Sequence, residues 1–295
     1  MSRIEEALRL SKSTGVAPTR EVTRTESFNS PWEFQDTRTG EAPGPSSFPI
    51  RESEVSEGAA VITDFSSKWK ERLIVSPSVE PFLVEQFRRL AATLHQFQES
   101  NGIRKVMLTS AVPSDGKTLT AVNLALTLSE SYKRRVLLVD ADLRRPSIRD
   151  VSHMPNVIGL ADALRASTEQ RLTVFQVTRH LSLLPAGRPD PDPMSGLTSA
   201  RMRRILDDAC RHFDWVILDA PPVGAVADAS ILGEMVDAAL LVVRAGSTNY
   251  SLAQKAIDAV GRERILGVVL NAVEDLDMKS YGYYSQNSET QLATR

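Results

Sequence analysis

The feature that most constrains the fold of this chain is the segment SAVPSDGKT, residues 110–118, which follows the apolar run KVMLTS. It ends as the phosphate-binding pattern G-x-x-x-x-G-K-[ST] does, although Ala111 stands where the first glycine is usual. A strand before such a loop and a helix after it form the context in which the pattern binds phosphates, because backbone amides at the helix start attract anions. The residues predicted to surround a bound nucleotide are Ser114, Asp115, Gly116, Lys117, Thr118 and Leu119.

Two side chains of this loop carry specific chemistry. Lys117 is expected to neutralise the terminal phosphates, and the hydroxyl of Thr118 is expected to ligate Mg²⁺. Ala111 lies at the exit of the strand, where a small residue can suffice. A chance G-K-T at the start of an ordinary helix is the alternative interpretation.

The sequence after residue 80 alternates apolar runs with amphipathic segments. Runs such as RRVLLVDAD, DWVILDAPP and AALLVVRAG show no polar alternation, as expected for strands whose two faces are both covered by helices. The strand–helix order predicts an α/β protein of the P-loop NTPase type, with a doubly wound, mostly parallel sheet and helices on both faces. Ligands of such sheets bind beyond the carboxyl ends of the strands.

Acidic residues follow two of the predicted strands. Asp140 ends VLLVD, Asp142 comes two residues later, and Asp219 ends WVILD in the Walker B position. Near a phosphate-bound Mg²⁺, one of the first pair could ligate the metal or its water while the other orients an attacking hydroxyl. The two would point to opposite sides of a continuing strand, unless the strand has ended. Each aspartate could instead cap a helix, but convergence on the G-K-T loop favours a site, to which Arg144 and Arg145 are expected to add positive charge.

Composition divides the chain into four parts. Residues 1–12 are predicted to form a short amphipathic helix that either frays or docks on another surface. Residues 13–76 are rich in Ser, Thr, Pro, Gly and Glu and are predicted to be a disordered linker, because they cannot bury enough apolar surface to offset the entropy of ordering. Residues 77–274 are predicted to be the α/β domain, and 275–295 a flexible tail that contains three of the five tyrosines.

Charge and hydropathy exclude several classes of protein. A net charge of −2 gives no electrostatic basis for binding nucleic acid. The apolar runs are far shorter than the roughly 20 residues that cross a bilayer. A single cysteine, Cys210, and the lack of an apolar signal sequence favour a cytoplasmic protein, and the four histidines have no metal-ligand spacing.

The segments SAVPSDGKT, VLLVDADLRRP and VILDAPP together resemble the bacterial tyrosine kinases of capsule and exopolysaccharide biosynthesis, in their cytoplasmic form. LLPAGRPDPDP and VEQFRRLAATL resemble two further segments of that family, and MSRIEEALR resembles the start of autokinases encoded with exosortase-type polysaccharide systems. The resemblance implies an ATP- and Mg²⁺-dependent kinase that phosphorylates its own carboxy-terminal tyrosines and regulates polysaccharide polymerisation and export.

Residue roles follow from this resemblance position by position. Asp140 would activate the tyrosine hydroxyl, and Asn271 would contact adenine, although it could equally be a turn residue. The catalytic set implied is Lys117, Asp140, Asp142 and Asp219. The metal ligands implied are Thr118, Asp142 and Asp219. The phosphoacceptors implied are Tyr281, Tyr283 and Tyr284.

The resemblance also implies partners. A separate transmembrane chain-length-determinant protein would activate the kinase and hold it at the inner membrane. A homo-oligomer is expected, but Ala91 replaces the second arginine of the E-x-x-R-x-x-R helix that builds a ring in the family. Asp192 and Ser195 stand where the family's P-N-P-x-E segment has Asn and Glu, which weakens any role of this segment in assembly. Ring assembly is therefore left open.

Two other functions remain open at this point. A partitioning or division-site ATPase would have the same fold, but its signature lysine would stand at Val112. A non-catalytic nucleotide-binding scaffold, which regulates a polysaccharide-export machine without turnover, would keep the same loop and strands.

Overall fold

The computed structural model describes residues 32–33, 66–151, 158–168 and 172–273. All of them belong to one unit of the chain, which begins at Pro31. The predicted amino-terminal helix, most of the predicted linker and the three tail tyrosines lie outside the described residues.

The strands of the described ranges are β1 (Trp32–Glu33), β2 (Lys105–Ser110), β3 (Val136–Asp140), β4 (Leu172–Thr173), β5 (Phe175–Gln176), β6 (Leu181–Leu184), β7 (Trp215–Asp219), β8 (Ala238–Arg244) and β9 (Ile265–Asn271). The helices are α1 (Ser67–Lys70), α2 (Pro81–Asn101), α3 (Lys117–Leu126), α4 (Ile148–Val151), α5 (Leu160–Arg165), α6 (Met194–Leu197), α7 (Ala200–His212), α8 (Asp228–Gly233) and α9 (Tyr250–Val260). A π-helical turn, Thr127–Ser131, continues α3.

Seven strands form one sheet in the order β5-β6-β3-β7-β2-β8-β9. Neighbouring strands run parallel, except that β5 at the edge is antiparallel to β6. Strands β1 and β4 form a separate parallel pair. The prediction of a mostly parallel, doubly wound sheet is confirmed. Strand β2, which leads into the phosphate-binding loop, lies inside the sheet between β7 and β8.

The central strands are buried on both faces. In β3, Leu137 faces an apolar core that includes residues of α5 and α7. Its neighbour Leu138 faces a second core that includes residues of α2 and α3. Burial on both sides explains why these strands are uninterrupted apolar runs, and it leaves the aspartates of β3 and β7 at the strand ends.

Local signals set the bounds of the longer helices. Helix α2 begins at Pro81, whose missing amide proton is not needed in the first turn, and ends before Gly102, which has a φ of 70°. Helix α7 begins after Ser199, whose side chain accepts the N–H of Met202. None of the described helices is both long enough and apolar enough to cross a membrane.

Leu73 shows that the ordered chain begins earlier than the composition indicates. Its side chain is fully buried in the core beneath α2. The N–H of Ile74 donates to Oδ1 of Asn123 at 3.0 Å, and Nδ2 of Asn123 donates to the carbonyl of Arg72 at 3.0 Å. The predicted boundary at residue 77 is therefore too late, because a few apolar residues in a polar segment are enough to dock it when their backbone groups find partners.

Candidate active site

The loop that joins β2 to α3 requires a glycine at its end. Gly116 is the N-cap of α3 and has a φ of 97°, in the left-handed region. A Cβ atom at this position would lie 1.9 Å from Nδ2 of Asn271. Both the dihedral angle and the available space therefore exclude a side chain.

Asp115 ties the loop to two distant segments. Its buried carboxylate accepts the N–H of Val112 at 3.3 Å and the hydroxyl of Thr248. Its carbonyl accepts Nδ2 of Asn271 at 2.8 Å. The contact of Asn271 with adenine stays a prediction, since its amide here bonds to the backbone of the loop. Thr248 has no recognisable motif in the sequence and is found only through this contact.

Ala111 is buried at the exit of β2, where a small residue was expected to suffice. Its carbonyl accepts the N–H of Gly224 at 3.2 Å, and a Cβ on Gly224 would come within 2.5 Å of that oxygen. The carbonyl of Ser110 accepts the N–H of Val223 at 2.9 Å. The segment that follows β7 therefore packs directly on the start of the loop.

Lys117 lies between two carboxylates at the carboxyl edge of the sheet. Its Nζ is 3.1 Å from Oδ2 of Asp142 and 3.3 Å from Oδ1 of Asp219. The hydroxyl of Thr118 donates to Oδ2 of Asp219 at 2.7 Å. The exposed fraction of these side chains is only 12% for Lys117 and lower for the two aspartates. The structure thus brings the predicted loop and strand ends into one buried cluster.

Asp140 lies beside Asp219, because the two are in register on the neighbouring parallel strands β3 and β7. Strand β3 ends at Asp140, so Asp142 is free of the strand alternation and reaches the same cluster. Oδ2 of Asp140 accepts the backbone N–H groups of Ser147 at 3.2 Å and Ile148 at 3.0 Å. Its Oδ1 is buried and has no hydrogen-bond partner within the described residues, so its capacity to form hydrogen bonds is unused there.

Burial and like charge shift the protonation of the cluster. Burial, with Asp219 next to it, raises the pKa of Asp140 to about 8. Burial also raises the pKa of Asp219, and this outweighs the opposing effects of Lys117 and Thr118. For Lys117, burial lowers the pKa, but Asp219 and Asp142 together outweigh it and the net pKa is raised. Lys117 is therefore firmly charged at neutral pH, whereas Asp140 retains its proton in the absence of a ligand.

Arg144, which is expected to add positive charge at this end of the sheet, is paired with a buried carboxylate. Its Nε lies 2.7 Å from Oδ2 of Asp228 and its Nη2 lies 3.1 Å from Oδ1. Its Nη1 donates to the carbonyl of Pro191. Asp228 is almost fully buried and neutralises the guanidinium. Arg145 is exposed, and its backbone N–H donates to Oδ1 of Asp142 at 3.1 Å, which fixes that carboxylate.

The donor atoms of the cluster suit a nucleotide with Mg²⁺. Mg²⁺ prefers oxygen ligands and is usually bound by one or two carboxylates together with phosphates and waters. The hydroxyl of Thr118 and the carboxylates of Asp142 and Asp219 offer such oxygens next to the phosphate-binding loop. No group of three or more His, Cys, Asp or Glu in the part of the chain that the structure describes is arranged to hold a metal ion.

Comparison with known proteins identifies the family. Residues 105–275 match the family model described as Cellulose biosynthesis protein BcsQ. The tyrosine-protein kinase YwqD of Bacillus subtilis is 34% identical over 222 residues, which are 74% of this chain and 93% of that protein. The chain belongs to the bacterial tyrosine kinases of capsule and exopolysaccharide biosynthesis. The family resemblance predicted from the loop and strand motifs is therefore confirmed.

Other tyrosine kinases are also similar to this chain in sequence. The putative tyrosine-protein kinase CapB of Staphylococcus aureus is 27% identical over 216 residues, 72% of this chain and 94% of CapB. The tyrosine-protein kinase etk of Escherichia coli K12 is 33% identical over 206 residues, which are 68% of this chain but only 28% of etk.

Solved structures confirm the P-loop NTPase fold. The kinase domain of Escherichia coli ETK matches with a TM-score of 0.60 and 30% identity, covering 65% of this chain and 78% of that one. The chimerical protein CapA2B2 matches with a TM-score of 0.63 and 28% identity, covering 70% and 91%. The relatives named here are kinases, which favours the kinase interpretation over the partitioning ATPase.

Proposed function

We propose that this kinase uses Mg-ATP to phosphorylate its own carboxy-terminal tyrosines, Tyr281, Tyr283 and Tyr284. The observation that carries the proposal is the buried cluster at the loop. It combines a charged lysine, held by Asp142 and Asp219, with Oδ1 of Asp140, which has no hydrogen-bond partner among the described residues. A switch or scaffold needs the lysine and the metal ligands, but it does not need a carboxyl group that takes a proton from a hydroxyl.

Each residue of the cluster has a role in phosphoryl transfer. Lys117 neutralises charge on the transferred phosphoryl group, and Thr118, Asp142 and Asp219 hold the cation. A Mg²⁺ held by these residues would offset the negative charge of the phosphates. These groups act mainly by electrostatic stabilisation of the transition state.

Asp140 is the proton acceptor in this proposal, in the ionised form that the positive charge of a bound Mg²⁺ would favour. The tyrosine oxygen forms a bond to the γ-phosphorus, its proton passes to Oδ1 of Asp140, and the bond between the γ-phosphorus and the bridging oxygen breaks, leaving its electron pair on ADP. A general base is most effective when its pKa lies near the working pH. Burial moves the pKa of Asp140 to about 8, much closer to that of a phenol than an ordinary carboxylate is.

We also propose that a transmembrane chain-length-determinant protein activates this kinase at the inner membrane, and that phosphorylation regulates polysaccharide polymerisation and export. The match to only 28% of etk supports a partner or adjoining segment of this kind. A homo-oligomer is proposed as well. Ala91 is fully buried in the core, whereas Glu85 and Arg88 of the same helix are exposed and paired at 3.8 Å, so position 91 offers nothing to a ring interface.

The proposal is tested by mixing two variants. One carries Lys117→Met and cannot transfer phosphate, and the other has all three tail tyrosines replaced by Phe. Ten residues separate Asn271 from Tyr281, so the tail spans at most about 35 Å, which permits reaction in cis or on a neighbour. We expect transfer in trans, so the Lys117→Met protein should be labelled on its tail, at a rate that rises with concentration.

Mass mapping of phosphotyrosine reads out this experiment. A wild-type rate independent of dilution, with no labelling in the mixture, would place the reaction in cis. Undiminished phosphorylation of the Lys117→Met protein alone would contradict the role of that lysine. Wild-type protein that binds Mg-ATP without acquiring phosphotyrosine would overturn the autokinase proposal and favour the scaffold.

A further inference from the structure

The hydroxyl of Ser147 lies in the cluster, although no motif of the sequence includes it. Its Oγ is 3.1 Å from Oγ1 of Thr118. Thr118 donates its proton to Oδ2 of Asp219 at the shorter distance of 2.7 Å. Because a hydroxyl has only one proton, Ser147 must be the donor in its contact with Thr118. The oxygen of Ser147 therefore lies beside the oxygen that the kinase offers to its cation.

The separation of these two oxygens suits a shared Mg²⁺. The ion takes octahedral ligands at about 2.1 Å, so two ligands at a right angle lie about 3.0 Å apart. The distance from Oγ of Ser147 to Oγ1 of Thr118 is 3.1 Å. Both oxygens can thus occupy adjacent ligand positions with little movement, while Asp219 keeps the Thr118 proton and with it the orientation of that hydroxyl.

The backbone of Ser147 is fixed independently of its side chain. Its N–H donates to Oδ2 of Asp140 at 3.2 Å, and the N–H of Ile148 donates to the same oxygen at 3.0 Å. Asp140 is itself buried on β3, and its other oxygen is the one with no partner among the described residues. The hydroxyl of Ser147 therefore contacts the predicted cation ligand, while its amide contacts the carboxyl group that is proposed to accept the tyrosine proton.

We propose that Ser147 is a second hydroxyl ligand of the Mg²⁺, alongside Thr118. The inference rests on the Mg²⁺-dependent nucleotide binding proposed above. A serine hydroxyl is a hard oxygen ligand of the kind Mg²⁺ prefers. Because the amide of the same residue holds Asp140, Ser147 also sets the position of the cation relative to the atom that accepts the tyrosine proton.

The first test measures the affinity of a fluorescent ADP analogue during a Mg²⁺ titration, which needs no catalysis. Ser147→Ala should raise the Mg²⁺ concentration at half-saturation by about 10-fold or more, since even groups that only support metal ligands cost about 10–100-fold. Its ADP affinity without metal should equal that of wild type. Ser147→Thr keeps a hydroxyl and should restore the titration. Ser100→Ala is the matched control, because that hydroxyl bonds within the last turn of α2, away from the site.

A second variant separates direct ligation from an effect through Thr118. Ser147→Cys offers a soft sulfur ligand, which disfavours Mg²⁺ and favours Cd²⁺. The cysteine variant should bind ADP more tightly than wild type when Cd²⁺ replaces Mg²⁺. An unchanged Mg²⁺ titration for Ser147→Ala would overturn the inference, and so would a cysteine variant without the gain in Cd²⁺. If the ADP affinity of the wild-type protein does not change with the Mg²⁺ concentration, the proposed metal dependence itself is wrong.

Discussion

Replacing Asp140 by asparagine should stabilise the nucleotide-free kinase by an amount that grows with pH. Burial and the adjacent Asp219 raise the pKa of Asp140 to about 8, whereas the unfolded chain releases this proton at roughly pH 4. Between these values the native state holds one proton more than the unfolded state, so the free energy of unfolding falls as pH rises. The retained proton of Asp140 contributes its full stabilisation of the native state below roughly pH 4, and this stabilisation is lost as pH rises through about 8.

The size of the effect follows from that single proton. It changes the free energy of unfolding by about 1.4 kcal/mol per pH unit, or about 2.7 kcal/mol between pH 5 and pH 7. The side-chain amide of the Asp140→Asn variant cannot ionise, so the stability difference between the variant and wild type should grow by this amount. In a domain of this size the melting-temperature difference should widen by about 5–10 °C. The side chain of Asp140 is neutral below about pH 8. The asparagine that replaces it is neutral too, so the substitution does not change the net charge next to Asp219.

Urea unfolding at pH 5, 6 and 7 measures the difference directly, since effects common to both proteins cancel. Asp258→Asn is the control, because Asp258 lies on the surface of α9 in an exposed pair with Arg262, and its difference from wild type should stay flat. Phosphoryl transfer by Asp140→Asn should fall while Mg-ADP binding is retained. A stability difference that does not change with pH would refute the assignment of a retained proton to Asp140.

Three further substitutions test the remaining contacts. Asp219→Asn should raise the Mg²⁺ concentration needed for ADP binding by about 10-fold or more, measured by the same fluorescent titration; an unchanged midpoint would contradict its role. Arg144→Ala leaves Asp228 buried and unpaired and should cost about 3–5 kcal/mol in urea unfolding, a loss that Asp228→Asn in the same chain should partly recover. Gly116→Ala should weaken ADP binding in the same titration and lower stability in urea unfolding, and adding Asn271→Ala should recover stability only in part, because it relieves the clash with Nδ2 but not the strained φ.

The nucleotide cluster could be predicted from sequence because its parts are local patterns. Lys117 belongs to a loop motif, and Asp140 and Asp219 each end an apolar strand. Parallel strands bring their carboxyl ends to one edge, so three separate stretches are expected to meet there without any knowledge of side-chain packing. Asp142 would point away from Asp140 if the strand continued, so it is expected to reach the same cluster only if β3 ends at Asp140. The structure shows that β3 ends there.

Contacts between segments far apart in sequence could not be predicted in this way. Asp228 pairs with Arg144 across 84 positions, and Thr248 reaches Asp115 across 133. Neither pair has a spacing that a motif could reveal, since each depends on how loops are placed after the sheet has formed. A sequence therefore shows that an arginine lies near the site, but not that a buried carboxylate already neutralises it.

Lys117 must give up its contacts with two carboxylates before its ammonium group can contact a phosphate. Its Nζ is held by Asp142 and Asp219 in the nucleotide-free kinase, and removing the partner of a buried charge costs about 3–5 kcal/mol. A lysine that turned towards phosphate alone would leave these carboxylates uncompensated, whereas a Mg²⁺ that enters with the nucleotide replaces the withdrawn charge. We therefore expect Asp142→Asn to bind ADP more tightly than wild type when EDTA removes all metal. Equal metal-free affinities would show that Lys117 reaches phosphate without giving up its carboxylate partners.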